Sequence, residues 1–178
     1  MSTFRRRLMM LAAQRYVKFE DPEIERICIE KWGRESRVTK EELAAVEDIG
    51  STFSKNKKIR TFKEFRYFDG IFATQQQAFS FCPNLREVWI PENIKNIYSW
   101  FSLGSEQLKT VVVLCKNPPK IHSSFMYIDT AYNYPSNLNI YVPDDTLGIY
   151  KEKWGNFNGN HNIYLASFLR PFSQYKGK

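Results

Sequence analysis

The sequence predicts an α+β fold, in which a short solenoid of stacked parallel strands follows an N-terminal arm and a pair of helices. Three observations support this prediction: an apolar strand pattern that recurs, helix start and stop signals before residue 50, and enough apolar residues for a core. Hydrophobic residues make up 43% and aromatic residues 16% of the 178 residues, so a disordered chain is not expected. A chain of this length forms one domain, or one domain with a small appendage.

The recurring pattern is an apolar strand that follows a leucine and ends before a proline. The first copy runs from Phe79 to Ile97, the second starts at Phe101, and a third, poorer copy runs from Phe125 to Pro143. One leucine precedes each predicted strand: Leu85, Leu108 and Leu138. These leucines are 23 and 30 residues apart. A period of roughly 20–29 residues with one strand per unit is the signature of a leucine-rich repeat, whose units bury their apolar faces against each other.

The segment 21–50 is predicted to be a helical pair. Asp21 followed by proline is a helix start, and Gly33 is expected to end that helix. Thr39 with a glutamate three residues later forms a capping box for the second helix, which is expected to close at Gly50. The predicted divisions of the chain are an arm at 1–20, the helical pair at 21–50, a repeat domain with a C-terminal cap at 51–165, and a tail at 166–178.

The helical pair resembles a calcium-binding EF-hand, with Val38 at the central hydrophobic position and Glu42 at the twelfth position of the loop. The remaining ligand positions fall on Lys31, Gly33, Glu35, the Arg37 carbonyl and Thr39. A lysine in place of the first aspartate is unfavourable for a dication. The hand is therefore predicted to keep its helical scaffold without the metal, and no metal or other cofactor is expected.

The first strand of the repeat domain is predicted at Ile59–Phe62, where Phe65, Phe68, Ile71 and Phe72 are expected to cover its end. A basic cluster accompanies this strand: Lys55, Lys57, Lys58 and Arg60. It is interpreted as a solvated first turn, because terminal units of solenoids are polar outside. A nucleic-acid patch is the less favoured interpretation, since no recognised binding motif accompanies the cluster.

A short helix is predicted to close the far end of the stack. Asp144 or Asp145 is expected to cap it, and Gly155 to stop it. Its inner face would consist of Leu147, Tyr150 and Trp154. A last strand is predicted at 163–165, and the tail is expected to pack back onto the domain.

Cysteine usage and hydropathy exclude several classes of protein. Cys28, Cys82 and Cys115 are scattered, so they are interpreted as core residues and not as a disulfide framework or a zinc site. The apolar run Leu8–Ala13 is shorter than a signal peptide requires, and the N-terminus is expected to be retained. No run approaches the roughly 18 apolar residues of a membrane span. His122 and His161 stand in different contexts without a nucleophile or ligand at a useful spacing, so an enzyme is not expected.

The N-terminal arm combines three arginines, Arg5, Arg6 and Arg7, with four large apolar residues, Phe4, Leu8, Met9 and Met10. Residues 1–20 hold five bases and one acid, out of a net charge of +7 for the whole chain. The arm is predicted to anchor the chain on a partner, with the arginines on carboxylates and the apolar residues in a groove. A frayed terminus and a nucleic-acid arm are the alternatives.

Residues 79–165 resemble the BspA-like leucine-rich repeats of gut anaerobic bacteria and their phages. The resemblance is carried by the run Ala78–Ile97 and by the ending from Asn117 to Trp154. Residues 17–50 are similar to the degenerate EF-hand-like head that often precedes such repeats. The resemblance implies a parallel-strand solenoid behind a helical head.

The opening peptide, residues 4–10, resembles N-terminal peptides of virion and mobile-element proteins of phages that infect such bacteria. The resemblance implies a non-enzymatic structural protein of the virion, a head or tail fibre or decoration subunit, whose arm binds other virion proteins. The alternative is a bacterial surface adhesion protein of the BspA-like type. The expected localisation is accordingly the virion, or the bacterial cell surface for the alternative.

A homo-oligomer, either a dimer or a trimer, is also expected. Four aromatic residues are candidates for contact with a partner protein or a host-surface glycan: Trp100, Tyr127, Tyr132 and Tyr134. Cover of the solenoid core is the other role considered for them. Binding of nucleic acid is not expected.

Overall fold

The computed structural model describes residues 15–122, 137–155 and 165–177. The described helices are α1 (Pro22–Trp32), α2 (Lys40–Ala44) and α3 (Leu147–Gly155), with 3-10 helices at Lys63–Tyr67, Asp144–Thr146, Leu165–Ser167 and Phe172–Gln174. The strands are β1 (Thr61–Phe62), β2 (Ala73–Thr74), β3 (Glu87–Ile90), β4 (Asn96–Ile97), β5 (Thr110–Val113), β6 (Lys120–Ile121), β7 (Asn139–Val142) and β8 (Leu169–Pro171).

The chain alternates between two parallel sheets, and the predicted α+β class is confirmed. The larger sheet has the order β1-β3-β5-β7-β8 and the smaller one the order β2-β4-β6. Val88 pairs with Val111, and Val111 pairs with Ile140. In the smaller sheet Ile97 pairs with Ile121. Equivalent apolar residues therefore stack on each other from strand to strand, which is how short parallel strands bury their side chains.

A row of phenylalanines fills the core between the sheets. Phe79 contacts Phe53 on one side and Phe101 on the other, with ring centroids 5.9 and 5.0 Å apart. All three rings are fully buried. Aromatic pairs of this kind contribute about 0.5–1.5 kcal/mol each beyond the area that they bury.

The two helices begin where the sequence predicts. Asp21 caps α1, because its Oδ1 accepts hydrogen bonds from the backbone N–H groups of Glu23 and Ile24. Thr39 and Glu42 form the predicted capping box of α2. The predicted end at Gly50 is wrong: α2 stops at Ala44, and the backbone carbonyls of Ala44 and Val46 lie directly against Gly70.

Both ends of the stack are closed by hydrogen bonds to main-chain groups. Asp21 Oδ2 accepts from the N–H groups of Arg60 and Thr61, at 2.6 and 3.1 Å, which ties α1 to the start of β1. At the other end, α3 buries Tyr150 and Trp154 as predicted. The structure thus holds α1 against the start of β1, and α3 against the residues that follow β5.

Two local predictions are wrong, and a third is contradicted at its one described position. Asp144 does not cap α3: its Oδ1 accepts a hydrogen bond from Ser173 N–H, and a 3-10 turn leads into the helix instead. Phe72 does not cover β1, because 59% of its surface is exposed. The strand predicted at 163–165 is contradicted at Leu165, which lies in a buried 3-10 helix, while residues 163 and 164 lie outside the described residues. A strand follows at Leu169–Pro171.

None of the helices in the described part of the chain is both long and apolar enough to span a bilayer. The three cysteines are buried and unpaired, as free thiols. Burial raises the pKa of Cys82 to about 11 and that of Cys115 to about 12. Each of these two thiols donates a hydrogen bond at 3.1 Å to a carbonyl of the preceding layer, Phe53 or Pro91 respectively.

Candidate binding surface

The structure describes only one of the residues predicted from the sequence to contact a partner. Trp100 lies in a turn after β4 and is 43% exposed. Tyr127, Tyr132 and Tyr134 lie outside the described residues, as does the whole arm from Phe4 to Met10. The residues around Trp100 are described, and none of them was predicted from the sequence to contact a partner.

Phe81 and Trp100 lie on neighbouring turns that are joined by hydrogen bonds. Phe81 N–H donates to the carbonyl of Leu103, and the Ser80 hydroxyl donates to the carbonyl of Trp100 at 2.7 Å. Phe81 is 45% exposed, close to the value for Trp100. We call the exposed side of these turns, with Phe81, Tyr98, Trp100 and His122, the aromatic edge.

Tyr98 and His122 form the rigid part of the aromatic edge. Their rings stack with centroids 4.5 Å apart and an angle of 23° between their planes. Tyr98 N–H donates to Thr74 Oγ1, and His122 N–H donates to the Ile97 carbonyl. His122 Nε2 is buried and has no hydrogen-bond partner within the described part of the chain. The stack thus fixes two ring faces across adjacent strands of the smaller sheet.

The two exposed aromatic residues of the edge have strained backbones. The φ angles are 57° at Phe81 and 59° at Trp100. A positive φ is an outlier for a bulky side chain, and such residues cost about 1–3 kcal/mol. The next turn has Gly104 at the position that corresponds to Phe81, with a φ of 71°. A side chain at Gly104 would collide with the Phe81 ring, since a Cβ would lie 2.7 Å from its Cδ1.

A second candidate surface flanks Tyr16, where the N-terminal arm joins the described chain. A cavity of about 450 Å³ is lined by Arg15, Tyr16, Arg34, Glu35, Thr39, Glu41, Glu42 and Ala45. Two ion pairs cross it: Arg15 lies 3.9 Å from Glu41, and Arg34 lies 3.4 Å from Glu42. The groove therefore presents both signs of charge beside the arm.

The EF-hand-like loop is held by hydrogen bonds between its own residues. Glu42, which would be the twelfth ligand, accepts from the N–H and the hydroxyl of Thr39 at 2.9 and 3.2 Å. Arg34 and Arg37 pair as a two-residue hairpin across the positions of the other ligands. Among the described residues, no group of three or more His, Cys, Asp or Glu side chains is placed to hold a metal ion.

The basic cluster at the first turn is exposed at all four positions: Lys55, Lys57, Lys58 and Arg60. Its backbone is tied down, because Lys55 N–H donates to the Ser80 carbonyl and the Lys57 carbonyl accepts from the Asn84 amide. The cluster thus sits on an ordered turn.

The sequence reasoning also missed the outer face of the larger sheet. Trp89 stands between two core residues in β3, so its side chain projects from the opposite face. Phe172 and Tyr175 from the tail pack on Trp89 with centroids 5.7 and 5.4 Å away. The uninterrupted apolar run Val-Trp-Ile in β3 was the signal that a second apolar layer exists, because its middle residue faces away from the core. The sequence did predict that the tail packs onto the domain, but not that it covers this face of the sheet.

No protein-family model matches this chain, and a search of curated proteins finds no match either.

Proposed function

We propose that this chain is a non-enzymatic structural protein of a phage virion, a fibre or decoration subunit that docks through its N-terminal peptide and presents a leucine-rich-repeat solenoid of the BspA-like type. The observation that carries the binding role is the pair of exposed aromatic residues, Phe81 and Trp100, on neighbouring turns. Both residues combine a positive φ with a side chain that is nearly half exposed. Strain of this kind concentrates at binding sites, where a partner's contacts offset it.

The repeat part of the proposal is supported by the alternation between two parallel sheets. Each pass of the chain adds one strand to the larger sheet and one to the smaller, as β3 and β4 do and then β5 and β6. Turns of successive passes are also joined, since Phe79 N–H donates to the Phe101 carbonyl at 3.0 Å. Units that repeat backbone hydrogen bonds and apolar stacking in this way are the basis of solenoids.

The display role is supported by the closed ends. Asp21 satisfies two backbone donors at the β1 end, and α3 satisfies carbonyls at the other. Backbone groups that are satisfied in this way are not open to pairing with a further strand. Its turns remain available for contacts, as the exposure of Phe81 and Trp100 illustrates.

The anchoring role of the arm is supported by its charge and by its point of attachment. Arg5, Arg6 and Arg7 are followed by an apolar run, which suits a partner groove with acidic residues at its entrance. The arm joins the body at Arg15 and Tyr16, both exposed. An anchored arm would therefore leave the solenoid on the outside of the assembly.

The proposal is tested on purified phage particles by quantitative mass spectrometry. The expected result is a fixed number of copies of the chain per particle. The variant in which Arg5, Arg6 and Arg7 are replaced by glutamate is expected to be lost from particles, because its charges would repel an acidic site. The matched control replaces Lys55, Lys57 and Lys58 by glutamate, which changes the net charge equally on an exposed turn.

Each outcome separates the alternatives. Absence of the chain from particles, together with its presence on the bacterial surface, would support the adhesion protein instead. Equal incorporation of the arm variant and the control would leave the chain a virion protein but would remove the arm as its anchor. Loss of both variants from the particles would mean that docking depends on the overall positive charge of the chain and not on the arm.

A further inference from the structure

We propose that the outer face of the larger sheet is a peptide-binding surface, and that the C-terminal tail of a second copy of this chain fills it in a reciprocal dimer. The surface consists of Trp89, Val112 and Tyr141, with Glu87 at its border. In the structure the end of the chain's own tail, residues 172–175, lies on it, directly after β8 at the edge of the sheet. The inference is independent of the proposed function, because it does not require that the protein is part of a virion.

The outer face is a continuous apolar strip across three strands. Trp89 pairs with Val112, and Val112 pairs with Tyr141 in the next strand. Each of the three stands between core residues, so all three project away from the main core. Trp89 is 9% exposed and Val112 is fully buried. Such burial on an outward face requires a cover.

The tail supplies that cover with the rings of Tyr175 and Phe172. Tyr175 packs edge-on against Trp89 at 5.4 Å and against Tyr141 at 5.3 Å. Since these residues flank Val112 in the register, the Tyr175 ring bridges over it. Phe172 stacks on Tyr175 with an angle of 10° between the planes and also contacts Trp89.

Polar groups fix the register of the tail on the strip. The Tyr175 hydroxyl donates to Glu87 Oε1, and the Trp89 indole N–H donates to the same oxygen at 2.6 Å. Ser173 N–H donates to Asp144 Oδ1 at 2.8 Å. β8 adds to the edge of the sheet beside β7, with Ile140 pairing with Leu169. The surface thus recognises a segment with two aromatic residues three positions apart across a 3-10 turn, the second of them a tyrosine.

A second copy is the partner whose fit the structure already demonstrates. Its tail would make the same contacts on this face, so the exchange creates and loses no contact within the surface. Exchange of an identical element is a low-cost route to a dimer. The tail is also peripheral: β8 is the last strand in the order of the described sheet, and Phe172 remains 37% exposed. Peripheral segments of this kind open more readily than core strands.

The test uses the full chain in two isotopic forms. The light form carries p-benzoylphenylalanine in place of Phe172, and the heavy form is uniformly labelled with ¹⁵N. The two are unfolded together, refolded together at low and at high concentration, and irradiated. We expect cross-links from light tails to heavy β3 peptides, with a share that rises with concentration toward about half of all tail cross-links, the statistical limit for reciprocal exchange in equal mixtures.

The matched control carries p-benzoylphenylalanine in place of Phe72, an aromatic residue with 59% exposure that lies directly before β2 of the smaller sheet. It is expected to give no link to heavy β3. Tail cross-links that stay within the light chain at every concentration would overturn the proposal. So would links from both positions in equal measure, because association would not then run through the tail.

A second measurement covers the case in which the labelled residue disturbs the tail. Tyr175→Phe removes the same hydroxyl contact from the closed monomer and from the exchanged dimer. The monomer–dimer dissociation constant from light scattering is therefore expected to stay within about twofold of the unmodified value, although the chain becomes easier to unfold. A dissociation constant raised tenfold or more, or a chain that stays monomeric throughout, would contradict the exchange.

Discussion

The hydroxyl group of Tyr150 donates a hydrogen bond of 2.8 Å to the backbone carbonyl of Cys115, which lies 35 residues earlier in the chain. Trp154, one turn further along α3, donates its indole N–H to the Pro119 carbonyl at 2.9 Å. Both side chains are buried. Two carbonyls that would otherwise face the open end of the stack are thereby satisfied.

Tyr150→Phe is expected to lower the free energy of unfolding by about 1–3 kcal/mol, because the Cys115 carbonyl stays buried without its donor. Urea unfolding followed by circular dichroism measures the change. Ile149→Ala on the exposed side of the same helix is the control, and its effect is expected to stay within about 0.5 kcal/mol. Equal effects of the two substitutions would mean that α3 does not close the stack.

Asp21→Ala is expected to destabilise the chain by about 2–4 kcal/mol, since one carboxylate caps α1 and also binds two N–H groups of the first strand. Asp48→Ala is the matched control: Asp48 Oδ1 accepts a single hydrogen bond, from Gly50 N–H, on an exposed turn. Its loss is expected to cost about 0.5–1 kcal/mol. A similar cost for both aspartates would show that the helix and the strand are held together by other contacts.

Glu64→Gln is expected to stabilise the chain near neutral pH. Burial raises the pKa of Glu64 above its ordinary value. Its Oε1 accepts from Glu20 N–H at 3.1 Å, and its Oε2 is buried without a partner among the described residues. Because the folded state holds this proton more tightly than the unfolded state does, stability falls as the pH rises from the unfolded pKa through the raised folded one.

The glutamine variant should therefore lose this part of the pH dependence, while its amide oxygen still accepts from Glu20 N–H. Urea midpoints measured from pH 4 to pH 8 give the slope. The control is Glu47→Gln at an exposed position, which should leave the slope unchanged. A glutamine variant with the slope of the unmodified chain would assign the pH dependence to other groups.

Trp100→Asn is expected to leave stability unchanged or to raise it by up to about 1 kcal/mol, because asparagine tolerates a positive φ better than tryptophan does. Binding to the partner of the aromatic edge should fall at the same time. Phe101→Ala, at the next residue, should instead cost about 3–5 kcal/mol, since its ring is fully buried. A large loss of stability in the Trp100 variant would give that side chain a structural role.

The sequence was most informative where one local rule decided the outcome. The helix starts at Asp21 and Thr39 follow from capping chemistry, which acts within three residues. The pairing of Val88 with Val111 follows from the recurrence of their pattern. The end of α2 was not predicted: there the carbonyls of Ala44 and Val46 lie against Gly70, more than 20 residues later, and no local pattern shows such a contact.

The candidate surface was less predictable for the same reason. Trp100 could be singled out as an unusual residue in its repeat, but its exposure depends on a turn with a positive φ. Asp144 was expected to cap α3, yet its carboxylate accepts a hydrogen bond from Ser173 N–H, 29 residues later in the chain. The contact of Tyr175 with Glu87 spans 88 residues, a distance at which no local pattern carries information.

The pairing of β3 with β5 also has a consequence for how this chain could vary. Glu87 to Ile90 pair in order with Thr110 to Val113, 23 residues later. Asp21 binds only the first strand, and Tyr150 and Trp154 bind only carbonyls near the last unit. Duplication of residues 87–109 would therefore add a layer that contacts neither closing helix, although the tail would cover only one of the two copies of Trp89. The length of the stack is thus open to change by simple tandem duplication, while both ends stay as they are.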